Sequence, residues 1–332
     1  MHQKEMLALL YPQAASAKDS LKMRQHAVDS HPVYNFIHTY YRFPVSKLLA
    51  YSPGIGVILE GAERQDLADA NIGNNAVNNM KKTANSSGGV LSAIGVHYEE
   101  GGRGVFYSGF DRIKLETVKR SLDILVESSI KPPVFSCFGL HEWAMLYSGR
   151  REKDGPHSPL SKHQALPLRV SQEVLDDLVE GKTAGCSLKC THYDAFRFFH
   201  PSAMGLNLQS DLSRASQVEY EQPGCIHSTM DLFKYAYTLY PYVPASLLRE
   251  SLQLAIVARK IDMRSSPYDV SGYMDAQEWG DGCGDGLAIC VETAEGRRQF
   301  ALEQEKLYQR SLHLRVQLIH SHEMFLRNEP MM

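Results

Sequence analysis

The chain has no surplus of basic residues. It carries 35 Lys and Arg against 38 Asp and Glu, and its net charge is −3 at pH 7 with histidine neutral. Tight binding to duplex nucleic acid depends on neutralising phosphates, so it usually comes with a basic excess. We therefore expect a small-molecule substrate. A nucleic-acid partner stays possible, because a local basic patch needs no overall excess.

Long apolar runs and paired cysteines are also missing. No stretch reaches the ~18 apolar residues of a membrane span. The opening segment MHQKEMLALLYPQ has neither the cationic start nor the apolar run of a secretory leader. None of the six cysteines forms a C-x-x-C pair, which argues against a zinc ribbon or a thioredoxin-like motif. We expect an intracellular, cytoplasmic protein with free thiols and no membrane segment.

Several catalytic signatures are absent. The chain contains neither G-x-S-x-G nor a P-loop, which argues against a serine hydrolase or a P-loop enzyme. Gly54-Ile55-Gly56 lacks the third glycine of a dinucleotide site. The segment from His141 is not H-E-x-x-H, because Met145 stands at the fifth position. The acidic loop 281–292 departs from a calcium loop at Cys283, where an oxygen ligand is required.

The spacing of apolar residues predicts a mostly α fold: a single helical domain over residues 1–332 with a few short β-strands and two surface insertions. Polar loops rich in Asn, Ser, Gly and Pro mark the insertions at 66–104 and 150–165. Helices are predicted at 17–30, 33–41, 46–49, 111–130, 138–147, 171–180, 191–199, 225–240, 244–263 and 295–323. Short strands are predicted at 57–59, 105–107, 166–170 and 287–292.

Three segments place a histidine close to a carboxylate, namely 141–142, 192–194 and 227–231. The third is the most informative, because His227 and Asp231 share one helix face at a spacing of four, and Lys234 extends that face. A carboxylate can fix the tautomer of a histidine and raise its basicity. Hydrogen-bonded structural pairs are the plain alternative. These motifs make His227, Asp231, His192 and Asp194 the candidate catalytic residues.

The same motifs also suit a metal ion. Two histidines and a carboxylate with open positions are typical of non-haem iron, and three histidines, or two with a glutamate, of catalytic zinc. The candidate ligands are His141, Glu142, His192, His227 and Asp231. On a helix, His192 and Asp194 would not share a face, so at most one of them is expected at a given site.

Other polar and aromatic residues are candidates for substrate binding. Asp262, Arg264 and Asp269 are predicted to lie in a polar turn after a helix, as a salt-bridge cluster or as the lining of a pocket. Phe196, Phe198 and Phe199 are predicted to belong to the core. The candidate substrate-binding residues are Trp143, Tyr41, Arg197, Lys234, Arg264, Tyr268 and Asp269.

Six segments together resemble a family found widely in bacterial genomes, whose members often carry the label 3-methyladenine DNA glycosylase. They are HPVYNFIHTYY (31–41), PGIGVILEGA (53–62), FSCFGLHEWAMLY (135–147), CTHYDAFRFFHP (190–201), EQPGCIHSTMDLFKYAY (221–237) and DMRSSPYDV (262–270). The resemblance covers most of the chain outside the two insertions. It implies a homologous fold and hydrolysis of an N-glycosidic bond.

Three functions remain open. The first is an N-glycosidic bond hydrolase for a nucleobase or nucleoside-like substrate. In it Asp231 or Asp194 activates water, His227 or His192 protonates the leaving group, and an aromatic side chain stacks on the base. That aromatic is Trp143 or Tyr41. The second is an iron- or zinc-dependent small-molecule enzyme, and the third is a non-catalytic binding protein.

Overall fold

The structure is a computed structural model that describes residues 1–12, 31–62, 96–98, 104–107, 115–149, 166–273 and 288–327. In these parts the chain is mostly α-helical with one small sheet, which confirms the predicted fold class. The described helices are α1 (His2–Leu10), α2 (Pro32–Tyr41), α3 (Val45–Leu49), α4 (Leu115–Ile130), α5 (His141–Met145), α6 (Gln172–Val179), α7 (Tyr193–Phe196), α8 (Pro201–Met204), α9 (Gln217–Tyr220), α10 (Ile226–Thr238), α11 (Ala245–Ser265) and α12 (Ala294–Arg327). The strands are β1 (Ile58–Glu60), β2 (Val96–Tyr98) and β3 (Gly104–Tyr107).

Helices α4, α10, α11 and α12 pack together and form the centre of the molecule. Helix α11 is buried on every side from Leu254 to Ser265, as expected of a helix enclosed by its neighbours. Its apolar side chains join a continuous cluster that extends from Met6 to Phe325. Each fully buried Leu, Ile or Phe contributes about 1.5–3 kcal/mol to folding. The same stretch of α11 also carries charged side chains, and these need partners inside the protein.

The three strands form an antiparallel sheet in the order β1-β3-β2. Leu59 pairs with Val105, and His97 pairs with Phe106. The strands predicted at 57–59 and 105–107 are therefore confirmed to within one residue. The predicted insertion at 66–104 is wrong in part, because it contains β2 and the first residue of β3. The rest of it, the insertion at 150–165, the helix at 17–30 and the loop 281–287 lie outside the described residues.

The strands predicted at 166–170 and 287–292 are wrong in the described residues. Leu168 forms only an isolated bridge with Tyr268, and residues 288–293 are irregular. The backbone groups of both segments bond to the end of α11 and the turn after it instead of to a sheet. One example is the amide of Ile289, which donates to the carbonyl of Arg264 over 2.8 Å.

Local backbone geometry shortens two of the predicted helices. Phe138 and Gly139 have φ of 51° and 65°, so α5 begins only at His141. His192 is extended and α7 ends at Phe196, so the predicted helix at 191–199 is reduced to one turn.

Of the two predicted helix N-caps, Ser171 is confirmed and Ser46 is wrong. Ser171 does cap α6, since its hydroxyl accepts a hydrogen bond from the amide of Val174 over 3.3 Å. The predicted cap at Ser46 is wrong, because α3 begins one residue earlier, directly after Pro44.

Helix α12 is long but carries charged residues along its length, and among the described helices none is both long and apolar enough to cross a membrane. Its His322 is fully buried, and Nδ1 lies 2.7 Å from the carbonyl oxygen of Leu318, within hydrogen-bond distance. Because that oxygen can only accept, Nδ1 carries the proton. Burial lowers the pKa of His322 to about 4, so the ring is neutral at pH 7.

We expect His322 to make the protein sensitive to acid. Between pH 6.5 and pH 4, His322 binds a proton in the unfolded chain but not in the folded chain. The free energy of unfolding therefore falls by up to about 3 kcal/mol as the pH decreases. His322→Gln should flatten this dependence, as measured by urea unfolding at pH 4.5 and pH 7. The matched control is His313→Gln, at an exposed histidine of the same helix. Equal pH dependence in both variants would contradict the account.

Candidate functional site

Buried ionisable side chains meet where α5, α10 and α11 come together. His141 is the first residue of α5, His227 lies in the first turn of α10, and Asp262 lies in the last turn of α11. One ligand atom from each of the three lies within 4.8 Å of those of the other two. Nitrogen and carboxylate oxygen atoms at such distances are a suitable starting set for a divalent metal ion.

Two atoms of this group have no hydrogen-bond partner among the described residues. The imidazole rings of His141 and His227 are perpendicular, with centroids 4.2 Å apart. His141 Nδ1 and Asp262 Oδ1 lie 3.7 Å apart, and both are buried without a hydrogen bond. An unsatisfied buried polar atom costs about 1–3 kcal/mol. An ion bound between these atoms would remove that cost.

Arg259 holds the carboxylates of the group in place. Its guanidinium is fully buried and donates to Glu142 over 2.6 Å and to Asp262 over 2.5 Å. It also lies over the ring of Phe36, 4.0 Å from the centroid. Since Glu142 is 3.3 Å from His141 Nε2 and Asp262 faces Nδ1, the arginine fixes a carboxylate on each side of that imidazole.

Burial and neighbouring charges set the protonation of the three candidate ligands. Burial alone would lower the pKa of His141, but the carboxylates of Asp262 and Glu142 outweigh it and raise this pKa. Burial, together with the neighbouring His141 and His192, lowers the pKa of His227 well below its ordinary value. Burial raises the pKa of Asp262, against the opposing effect of His141 and Arg259. His227 is therefore neutral at pH 7, which is the form that binds metals.

A second polar network adjoins the first along α10. His192 Nε2 lies 3.1 Å from Asp231 Oδ2 and 3.7 Å from Glu221 Oε2. The ammonium group of Lys234 donates to Asp231 and, over 3.0 Å, to Asp194. The lysine and the histidine outweigh the effect of burial and lower the pKa of Asp231 to about 2. Asp231 is therefore a carboxylate at neutral pH.

A cavity of about 80 Å³ opens beside both networks. Polar groups at its wall come from His141, Glu142, His227, Asp231 and Asp194. The rest of the wall is largely apolar and comes from Phe36, Tyr40, Met145, Ala195, Phe198 and Met230. An apolar cavity with a few converging polar groups is the usual form of a small-molecule site.

A smaller cavity of about 20 Å³ lies on the other side of the two histidines, since His141 and His227 line both cavities. Cys137, Cys190 and Cys225 line the smaller one. A hydrogen bond from the Cys225 thiol lowers the pKa of Cys137 to about 6. The five cysteines in the described residues are all free thiols.

Comparisons with protein-family models, with curated proteins and with solved structures give no match for this chain. The resemblance to the glycosylase family therefore stays a prediction from the quoted segments.

The structure brings together most of the predicted catalytic and metal-binding residues. His141, Glu142, Asp194, His227 and Asp231 line the larger cavity. His192 is buried and Lys234 is about one-third exposed, and both bond to Asp231. Of His192 and Asp194, only Asp194 lines the cavity, as expected, although His192 precedes α7 in an extended conformation and is not on the helix.

The predicted His227–Asp231 pair does not form, although both residues face the cavity. The structure pairs Asp231 with His192 and Lys234, and places His227 beside His141 and Asp262. The metal ligands predicted at His192 and Asp231 therefore belong to the second network, and Asp262 takes the place of a ligand in the first.

Several predicted substrate-binding residues lie away from the cavity. Trp143 is fully buried and donates a hydrogen bond from Nε1 to the carbonyl of Ser265 over 2.9 Å, so it has no face free for stacking. The hydroxyl of Tyr41 donates to the carbonyl of Met230 over 2.7 Å, and its ring packs against Phe233. The predicted stacking role is wrong for Trp143, while that of Tyr41, which is half-buried and does not line the cavity, stays a prediction.

The polar turn predicted after α11 is wrong in part. Asp262 and Arg264 lie inside that helix, and both are fully buried. Tyr268 is also buried and does not line the cavity. Asp269 is exposed and accepts a hydrogen bond from the amide of Ser271 over 3.0 Å.

Sequence reasoning missed Arg259. Arg259 and Asp262 are three apart on α11, and this spacing of opposite charges in an apolar helix is the signal that indicates a buried pair. Phe196 and Phe199 do belong to the core, but Phe198 is 42 % exposed and lines the cavity. Phe36 of α2 also lines this cavity.

Gly139 sets how closely the turn before α5 can approach Asp262. A Cβ atom there would lie 2.7 Å from Ser265 Oγ and 3.4 Å from Asp262 Oδ1. Gly139→Ala should lower the free energy of unfolding through both left-handed backbone strain and this close approach, each about 1–3 kcal/mol. Gly56→Ala is the matched control, because Gly56 has φ of 76° but no atom within 4 Å of the added Cβ. Chemical unfolding that finds equal losses in the two variants would contradict the close approach.

Proposed function

We propose that the protein is a metal-dependent hydrolase of a small molecule, with His141, His227 and Asp262 as the ligands of a zinc or iron ion. The observation that carries the proposal is the pair of buried atoms, His141 Nδ1 and Asp262 Oδ1, that lie 3.7 Å apart without hydrogen bonds beside His227. Three protein ligands with an open position are typical of catalytic ions. A cytoplasmic location forms part of the proposal, and the free thiols support it.

Hydrolysis fits the charges around the cavity. An ion bound by the three ligands would polarise a substrate carbonyl or lower the pKa of a water molecule. Asp231 faces the same cavity as a carboxylate and is bonded to His192 and Lys234. This carboxylate can accept a proton from water, while His192 Nε2 donates a hydrogen bond to it and holds it in position.

The apolar wall supports a substrate with a flat, uncharged part. Phe36 and Tyr40 stack on each other with their ring planes 12° apart, and both line the cavity together with Phe198. Aromatic walls favour planar ligands through burial and ring stacking. A nucleobase or nucleoside-like compound has this shape.

Metal content tests the ligand set. The purified protein should hold about one zinc or iron ion per chain, and Asp262→Asn and His227→Gln should reduce this below about 0.1, as measured by mass spectrometry of the elements. Affinity should weaken as the pH is lowered, because the raised pKa of His141 lets a proton compete with the ion. Adding zinc or ferrous ion should raise the melting temperature of the native protein and not that of Asp262→Asn.

His192→Gln is the matched control for this experiment. It replaces a buried histidine of the neighbouring network that is bonded to Asp231 and does not belong to the three ligands. It should retain the ion. Loss of metal in His192→Gln, with retention in Asp262→Asn, would contradict the proposed ligand set.

A second candidate is hydrolysis of an N-glycosidic bond without a metal. It is favoured by the two carboxylates of Asp194 and Asp231, which face the cavity and share the ammonium group of Lys234. One carboxylate would stabilise an oxocarbenium-like state while the other activates water. The glycosylase resemblance supports this candidate as well.

Release of free base distinguishes the two candidates. If the second holds, incubation with nucleosides or with alkylated DNA releases base in the presence of a chelator. Asp231→Asn then slows release by about 10²–10⁴-fold, while Asp176→Asn, a buried aspartate bonded to Ser148 and Gln172, does not. Chromatography that detects no base from either substrate would exclude the second candidate.

A further inference from the structure

Three cationic side chains converge on the carboxylate of Asp194. Arg197 Nε lies 3.3 Å from Oδ1, Arg214 Nη2 lies 3.4 Å from the same oxygen, and Lys234 Nζ lies 3.0 Å from Oδ2. Lys234 also bonds to Asp231. Three cationic side chains thus meet one carboxylate at Asp194, while Asp231 and Glu221 add negative charge on the side of Lys234.

Both arginines keep donors available to solvent. Their side chains are 44 % and 62 % exposed, and in the described residues each uses one nitrogen for the bond to Asp194. A guanidinium has five N–H donors, so most of them stay open. Such donors in a fixed plane suit an anion with two or more oxygens, such as a phosphate or a carboxylate.

Aromatic rings hold the two guanidinium groups in position. Arg197 lies over Phe198 with its central carbon 4.2 Å from the ring centroid, and Arg214 lies over Tyr193 at 5.4 Å. Phe198 lines the larger cavity, and so does Asp194, the shared partner of all three cations. The cations therefore adjoin the wall of the cavity through their contacts with Asp194 and Phe198. Holding them in advance lowers the entropic cost of binding a ligand.

We propose that Arg197, Arg214 and Lys234 form an anion-binding rim of the cavity, so that its ligand is a small molecule with a planar part and a phosphate or carboxylate group. The planar part lies against Phe36, Tyr40 and Phe198, and the anion meets the rim. The inference rests on the proposed function only in that it concerns the same cavity. It narrows the substrate from nucleoside-like compounds in general to those that carry an anionic group.

Binding of matched probe pairs tests the rim. The first pair is adenosine 5′-monophosphate and adenosine, for a phosphate, and the second is indole-3-acetate and indole, for a carboxylate. In calorimetry at low salt, the charged member of at least one pair should bind about tenfold more tightly than the neutral member. The difference should shrink in about 0.5 M salt, because exposed charges are screened. The pair that shows the preference identifies the anion.

Substitutions show whether the rim causes the preference. Arg197→Gln and Arg214→Gln should each weaken the charged probe about tenfold and leave the neutral probe unchanged. Arg298→Gln, at an exposed arginine of α12 paired with Glu295, is the control. Equal affinities within both pairs, absence of binding by both charged probes at millimolar concentration, or rim variants that behave like the control would each overturn the proposal. The assay measures binding and not turnover, so a protein without metal that still prefers the anion would refute the metal site alone.

Discussion

The fully buried guanidinium of Arg259 is the constraint on which the rest of the site depends. A charge in the protein interior is tolerated only when opposite charges and hydrogen bonds surround it. Glu142 and Asp262 supply them, and they come from two different helices, α5 and α11. The ion pairs therefore fix the end of α11 against the start of α5. His141 lies between the same two carboxylates, so the ion pairs of Arg259 also determine where its imidazole is held.

Helix α10 links the two polar networks because it carries His227 of the first and both Asp231 and Lys234 of the second. His227 belongs with His141 and Asp262, while Asp231, one turn later, belongs with His192 and Lys234. The cavity opens between these groups, with a proposed metal site on one side and an ionised carboxylate on the other. An electrophile and a proton acceptor that face the same enclosed space are the minimum requirement for hydrolysis.

Local patterns predicted much of this architecture. The apolar spacing of α10 and α11 and the cap at Ser171 depend on neighbouring residues, and these predictions are confirmed. The carboxylate partner of each histidine could not be derived in the same way. His227 and Asp231 share a helix face as predicted, but Asp231 is closer to Lys234 and to His192, which is 39 residues away in sequence.

Burial decided the other differences between sequence and structure. Trp143 is the kind of aromatic residue that often stacks on ligands. It lies in the core instead, where its indole N–H donates to the carbonyl of Ser265 at the end of α11. Phe198 has the apolar side chain of a core residue, yet it lines the cavity and packs against Arg197. Residue type alone does not separate these two environments, because both are apolar and only one is open to solvent. The exposed arginine beside the ring was the local indication of which aromatic reaches the surface.

The most direct test of the central claim is anomalous diffraction at the zinc and iron absorption edges from crystals of the protein grown with these ions. We predict one strong peak about 2.0–2.2 Å from a nitrogen of His141, a nitrogen of His227 and an oxygen of Asp262. A peak among Cys137, Cys190 and Cys225, or density showing a direct hydrogen bond between His141 and Asp262 with no ion, would contradict the account.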